Sequence, residues 1–180
     1  LYERAREGYI RSLRTQTATQ PPEHFAALAA LRAVAAGPSE EQLKQTVARY
    51  CGRMFHVKYW ESVLFPRRIR RYSGAMLDKL LAEGDYFWRM TPEGNLCFCR
   101  YEDIDWDAPL PKGAESLEGD ELLMYRELAR RGASFLKFLT SVPKEASAQE
   151  VLLRLAEKGL VCADSFVPVR QWQNREKVKK

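Results

Sequence analysis

Apolar residues in the first third of the chain recur at steps of three and four, which is helical spacing. Tyr2, Ala5, Tyr9, Ile10 and Leu13 interleave with arginines, and the pattern dissolves between Thr15 and Pro22. Phe25, Leu28, Leu31 and Val34 predict a helix over Glu23 to Ala36, closed by Gly37-Pro38. Ser39 stands as an N-cap with Gln42 three residues on, the two halves of a capping box. Leu43, Val47 and Tyr50 share one face of the helix that follows, and Gly52 ends it. His56 to Phe65 reads as a short apolar helix or turn. Pro66 can open a further turn, since its missing N–H costs nothing there. Ser73 is placed to cap a helix over Met76 to Ala82, with Leu77, Leu80 and Leu81 inward and Gly84 at its left-handed end.

The period then changes. Asp85 to Met90 and Leu96 to Tyr101 are β-rich runs joined by Thr91-Pro92-Glu93-Gly94-Asn95, a hairpin pattern. Helix, basic elbow, helix, hairpin is the order of a winged helix, with the hairpin as its wing. Glu102 to Gly119 is acidic, with prolines at Pro109 and Pro111, and reads as a connector. A second, partial copy follows: a helix over Asp120 to Arg131, a short one over Ala133 to Leu139, and a third over Ala148 to Lys158, capped by Ser147. Leu160-Val161-Cys162 begins a strand that has no return. Leu77 to Gly84 and Leu152 to Gly159 share the run of a last helix feeding a strand through glycine. The expected fold class is mainly α with short β-hairpins, as tandem winged-helix domains. The expected parts are an N-terminal helix and loop (1–22), a winged helix (23–101), an acidic linker (102–118), a second winged helix with a truncated wing (119–170) and a basic tail (171–180).

Charge sharpens this picture. The net charge is +5 with a pI near 9.1, which alone points only weakly to nucleic acid. The placement says more. Arg49 to Arg71 holds seven Lys/Arg against one acid, Glu61. Glu102 to Glu121 holds eight acids against Lys112, and Arg170 to Lys180 five bases against Glu176. Two basic zones therefore flank an acidic connector. The apolar runs are far too short to cross a bilayer, and no leader with a cleavage site opens the chain. Cys51, Cys97, Cys99 and Cys162 do not have the spacing of a disulfide framework, which suggests a reducing, cytoplasmic setting. The first residue, Leu1, suggests a piece of a longer protein.

Trp60-Glu61, Phe65-Pro66-Arg67-Arg68-Ile69, Tyr72, Leu77-Asp78-Lys79-Leu80 and Gly84-Asp85-Tyr86-Phe87-Trp88 resemble successive blocks of the C-terminal region of the large helicase-related (Lhr) family of DNA helicases. Arg131-Gly132-Ala133-Ser134-Phe135-Leu136 and the stretch Leu152 through Arg170 are similar to two later blocks. Cys162 and Ala163 stand where the family has Thr and Asn, and Arg67 stands where it has Ala. The resemblance implies a tandem winged-helix array downstream of an ATP-driven motor. That motor would supply ATP and Mg binding. Neither phosphate-loop glycines with Lys-Ser/Thr nor an Asp-Glu-x-His box occurs in this chain, so no cofactor is expected in the fragment. The function expected is non-catalytic binding of DNA, with RNA as the second candidate, within such a helicase and in DNA repair, with the upstream helicase domains as partners and no membrane. The family's arrays also resemble winged-helix DNA glycosylases, which leaves a glycosylase scaffold as one alternative. A protein-docking module is another.

The nucleic-acid-binding residues expected are Lys58, Arg67, Arg68, Arg70, Arg71, Arg170 and Trp172. With Ile69 inward, the elbow arginines can reach phosphates, and each such contact releases condensed counterions. Their alternatives are a solvated basic turn, pairing with the acidic connector or, for Arg68, a structural role. Trp60, Tyr72, Trp88 and Trp172 could stack on bases. Core packing is the competing role for Trp60 and Trp88, whereas Trp172 lies in the basic tail. Cys97 and Cys99 share one face of a strand and could hold zinc with His56 or Cys51, but no second paired motif accompanies them. Asp103, Asp105 and Asp107 lack the glycine and glutamate of a calcium loop. Asp164 would serve a glycosylase or merely cap a turn. No catalytic or metal residue is assigned.

Overall fold

A computed structural model describes residues 2–15, 20–33, 37–105 and 113–178. The chain forms two compact units, Leu1–Val34 and Ala35–Lys180. The first holds helices α1 (Tyr2–Thr15) and α2 (Pro22–Ala33), with Tyr9, Ile10, Leu13, Phe25 and Leu28 exposed. The end expected for α2 at Ala36 and the prolines of the connector lie outside the described residues. Among the described residues, no helix is long and apolar enough to cross a membrane.

The second unit opens with α3 (Ser39–Tyr50), followed by β1 (Phe55–His56). A continuous helical rod then covers 57–68: α4 (Val57–Tyr59), a π turn (Trp60–Leu64) and α5 (Phe65–Arg68). Next come α6 (Gly74–Ala82), β2 (Tyr86–Met90) and β3 (Asn95–Arg100). The sheet order is β1-β3-β2, antiparallel throughout, with Phe55 opposite Leu96 and Trp88 opposite Phe98. Three helical pieces with a small sheet in this order make a winged helix. Its core joins Leu43 and Val47 of α3, Trp60, Leu64 and Phe65 of the rod, Leu77, Leu80 and Leu81 of α6, and Trp88 and Phe98 of the sheet. The strand β1 is too short to show a period of two in the sequence. It forms because Phe55 packs edge-on against Trp60, with ring centroids 5.2 Å apart, while its backbone pairs with β3.

The capping box expected at Ser39 and Gln42 does not form. Pro38 holds the N-cap position, and Ser39 Oγ donates to the Arg70 carbonyl at 2.6 Å. Gln42 spends its amide on the Gly37 carbonyl and accepts the Arg70 N–H at 2.9 Å. Both side chains therefore pin the elbow rather than the start of α3.

The second copy's first and last helices are present as α7 (Gly119–Arg131) and α8 (Ala148–Glu157), with Ser147 Oγ accepting the Glu150 N–H as expected. They enclose a small core of Leu117, Met124, Leu139, Val151 and Leu155. The short helix between them is only a 3-10 turn, Leu136–Phe138. The strand expected at Leu160 to Cys162 is not formed. Gly84 and Gly159 both end their helices with positive φ, but Gly159 sits against the Met90 carbonyl, and Leu160 and Val161 pack into apolar clusters instead of pairing. The segment is laid on the first wing's strand rather than building a second wing. Asp120 ties the loop ahead of α8: its carboxylate accepts the N–H groups of Lys144, Glu145 and Ala146 at 2.7 to 2.9 Å. These three donors depress the Asp120 pKa. The stability they give is therefore present above the ordinary aspartate pKa and lost as pH falls through the depressed value. Asp120→Asn should lower the melting temperature at pH 7 and flatten its decline in acid, as read by circular dichroism.

The tail is the largest departure. Residues Val167–Val178 form a helix, α9, with Phe166, Val169 and Trp172 buried in the winged-helix core. The Trp172 ring lies on Gly94 at the wing's turn, and its indole N–H donates to Glu157. Gly94 has φ +76°, where a Cβ is strained, and that Cβ would run into the ring. Gly94→Ala should cost about 2 kcal/mol or more from those two causes together, measured as a shift in urea midpoint at constant m.

Candidate nucleic-acid interface

The site is the outer side of the rod and the turn that follows it. Along the rod, Val57, Trp60, Leu64 and Phe65 point into the core, and Trp60 Nε1 donates to the Leu96 carbonyl at 3.1 Å. Ile69 is buried and anchors the elbow. The opposite side then carries Lys58, Tyr59, Ser62, Pro66 and Arg67, all exposed, and continues into exposed Arg70 and Arg71. Arg71 has φ +53°, an uncommon conformation for a residue with a Cβ. It is held there by buried Ile69 and the Ser39 and Gln42 bonds on one side, and by Tyr72 on the other. The turn is thus a fixed platform rather than a loose loop.

The one acid in the stretch is turned away. Glu61 is half-buried and accepts Arg170 Nε and Nη2, both at 2.9 Å, and the Tyr72 hydroxyl at 2.6 Å. Arg170 also donates Nη1 to Asp78 at 2.8 Å and Nη2 to the Gly74 carbonyl at 3.0 Å, and lies over the Phe166 ring. Burial works against the guanidinium's charge, but its bonds to Glu61 and Asp78 outweigh this and raise its pKa. Burial, then the bond to Glu61, pushes the Tyr72 phenol well up. Asp78 Oδ1 closes the network by accepting the Phe166 N–H at 2.6 Å. Among the described residues, Lys58, Arg67, Arg70 and Arg71 form no ion pair with a carboxylate.

The expected binding residues therefore divide. Lys58, Arg67, Arg70 and Arg71 share one exposed ridge. Arg68 is half-buried, its guanidinium 5.2 Å from the centre of the Tyr50 ring, which is the structural alternative. Arg170 and Trp172 are not presented as a basic tail. The first is saturated by two carboxylates, and the second is buried under the wing. Phe166, Val169 and Trp172 recur at steps of three, a helical stripe that would have found α9 from the sequence.

On α6, Lys79 pairs with Glu40 at 2.7 Å, and Asp78 is taken by Arg170. On the wing, Gly94 is covered and Glu93 is exposed at the turn. Trp60 and Trp88 are core residues, Trp88 Nε1 donating to the Ser165 carbonyl at 3.0 Å. Asp164 is exposed beside that bond. Asp103 lies in a 3-10 turn, and Asp107 lies outside the described residues. No group of three or more His, Cys, Asp or Glu able to hold a metal is found among the described residues.

Residues 21–98, which include the whole ridge, match the family described as "Large helicase-related protein, winged-helix domain". A "Lhr helicase/ probable uracil glycosylase" of Mycolicibacterium smegmatis is 35% identical over 118 residues, 61% of this chain and 8% of that protein. A "Lhr helicase/uracil glycosylase" of Escherichia coli is 26% identical over 125 residues, 62% of this chain and 8% of its own length. The chain thus spans about a twelfth of the length of these relatives.

Proposed function

We propose that the ridge Lys58–Arg67–Arg70–Arg71, which lies within the residues 21–98 that match the winged-helix domain of the large helicase-related proteins, is a phosphate-binding surface for DNA or RNA in a helicase of that kind. The observation that carries this reading is the inward turn of Glu61 onto Arg170, which leaves the ridge positive along its whole length. Such a surface holds the backbone and selects no sequence. It would guide a strand for an ATP- and Mg-dependent motor elsewhere in the same protein, in work on damaged DNA. The relatives' names pair helicase with uracil glycosylase, which supports a second role as part of a glycosylase scaffold. This region would then position DNA for chemistry done by other residues.

Fluorescence anisotropy with labelled single-stranded and duplex DNA, and with RNA, tests the surface. Four phosphate contacts predict a log–log salt slope of about −3.6 for duplex, so affinity should fall about a hundred-fold between 50 and 200 mM salt. Absence of binding at low salt would instead favour docking of this unit onto a protein surface.

A further inference from the structure

The sheet's outer face carries a feature that nucleic-acid binding does not use. Leu96 and Phe98 of β3 face the core, so Cys97 and Cys99 share the other face, as period-two strand geometry requires. Their sulfurs are 3.7 Å apart, in hydrogen-bond contact. Arg89 is paired opposite Cys97 on β2. Cys51 is a free, half-buried thiol and Cys162 a free, exposed one.

We propose that Cys97 and Cys99 are a dithiol that hydrogen peroxide converts reversibly to a disulfide within one strand. In the first step the Cys97 thiolate attacks a peroxide oxygen. The O–O bond breaks, an S–O bond forms, and the departing hydroxide takes up a proton to become water. In the second step Cys99 sulfur attacks the Cys97 sulfenic sulfur. An S–S bond forms, the S–O bond breaks, and water leaves with the Cys99 proton. Two thiols are oxidised, one peroxide is reduced, and two waters are released.

The roles follow from the surroundings. The contact between the two sulfurs, helped by the Arg89 charge and opposed by burial, brings Cys97 down to about 7, while the same contact pushes Cys99 up. With Arg89 paired opposite it, Cys97 is assigned as the attacking sulfur, although it is the more buried of the two, and Cys99 as the resolving one. Burial pushes Cys51 up, which leaves it a poor competitor. Two residues along a strand separate Cα atoms by about 6.6 to 6.8 Å, at the upper end of what a disulfide spans, about 4.4 to 6.8 Å. Closure therefore pinches the strand at Phe98, whose ring stands edge-on to Trp60 at 4.8 Å.

The test treats the whole chain with hydrogen peroxide, blocks remaining thiols with N-ethylmaleimide and maps tryptic peptides by mass. Cleavage after Arg89 and Arg100 leaves both cysteines in one peptide, Met90 to Arg100. The expected product is that peptide lighter by two hydrogens and restored by dithiothreitol, both in the native chain and in the variant Cys51→Ser/Cys162→Ser. In Cys99→Ser, Cys97 should be trapped by dimedone as the sulfenic acid. The oxidation rate should rise about tenfold from pH 6 to pH 8 and then level, as a thiol titrating near 7 requires. A disulfide to Cys51 or Cys162, over-oxidation of Cys97 with Cys99 untouched, an unmodified peptide, or a rate still climbing at pH 9 would each overturn the proposal.

Discussion

Arg170→Ala should destabilise the second unit by about 2 to 4 kcal/mol, read as a lower urea midpoint with unchanged m. Arg170 donates to both carboxylates of the network and to the Gly74 carbonyl. Truncation leaves Glu61 and Asp78 without a cation. Their side chains retain only 17% and 27% of their exposure, so water compensates poorly. Breaking a fully buried pair costs about 3 to 5 kcal/mol, and residual solvent access at this site lowers that figure. Arg170→Lys should recover only part of the loss, since a single ammonium cannot reproduce a planar fork reaching two carboxylates and a carbonyl. A loss below about 1 kcal/mol would place the network among ordinary surface pairs. It would also remove the reason for treating Glu61 as consumed.

The second large effect lies in binding, and stability should hardly move. Arg67→Ala and Arg70→Ala combined with Arg71→Gly remove three charges from the ridge without touching the core. Glycine suits the third position because φ there is +53°. Exposed substitutions of this kind change stability by roughly 0.5 kcal/mol or less each. DNA affinity near physiological salt should fall by at least about tenfold, and the salt slope should become shallower by about 2 to 3. An unchanged slope with binding intact would move the contact off the elbow. Failure of the parent protein to assemble, with DNA binding unaffected, would favour the docking alternative.

The winged-helix elements are legible in the sequence because each is announced locally. Leucines at Leu77, Leu80 and Leu81 close on Gly84, and Thr91 to Asn95 turns a hairpin, all within a few residues. The exposed arginines of the elbow were legible for the same reason: Ile69 between them is the only apolar residue, and it is buried. What was hidden depends on distance along the chain. Ser39 and Gln42 fit a capping box by spacing, yet their partner is the backbone of Arg70, 28 to 31 residues away. Arg170 and Trp172 looked like a basic tail because charge dominates their neighbourhood. Their real partners, Glu61 and Gly94, have no local signature that points to residue 170 or 172. The missing second strand is similar. Leu160 and Val161 have strand-like chemistry, and only the presence of β2 beside them decides that they pack instead.

The closure of Glu61 onto Arg170 also orders events during synthesis. The two residues are 109 apart in the chain, a gap that a ribosome crosses in roughly 5 to 20 s. Over that interval the rod, α6 and the hairpin have all been made, while Glu61 has Tyr72 but still lacks Arg170. The charged network that holds Glu61 inward can therefore close only after residue 170 has been made, well after the ridge itself.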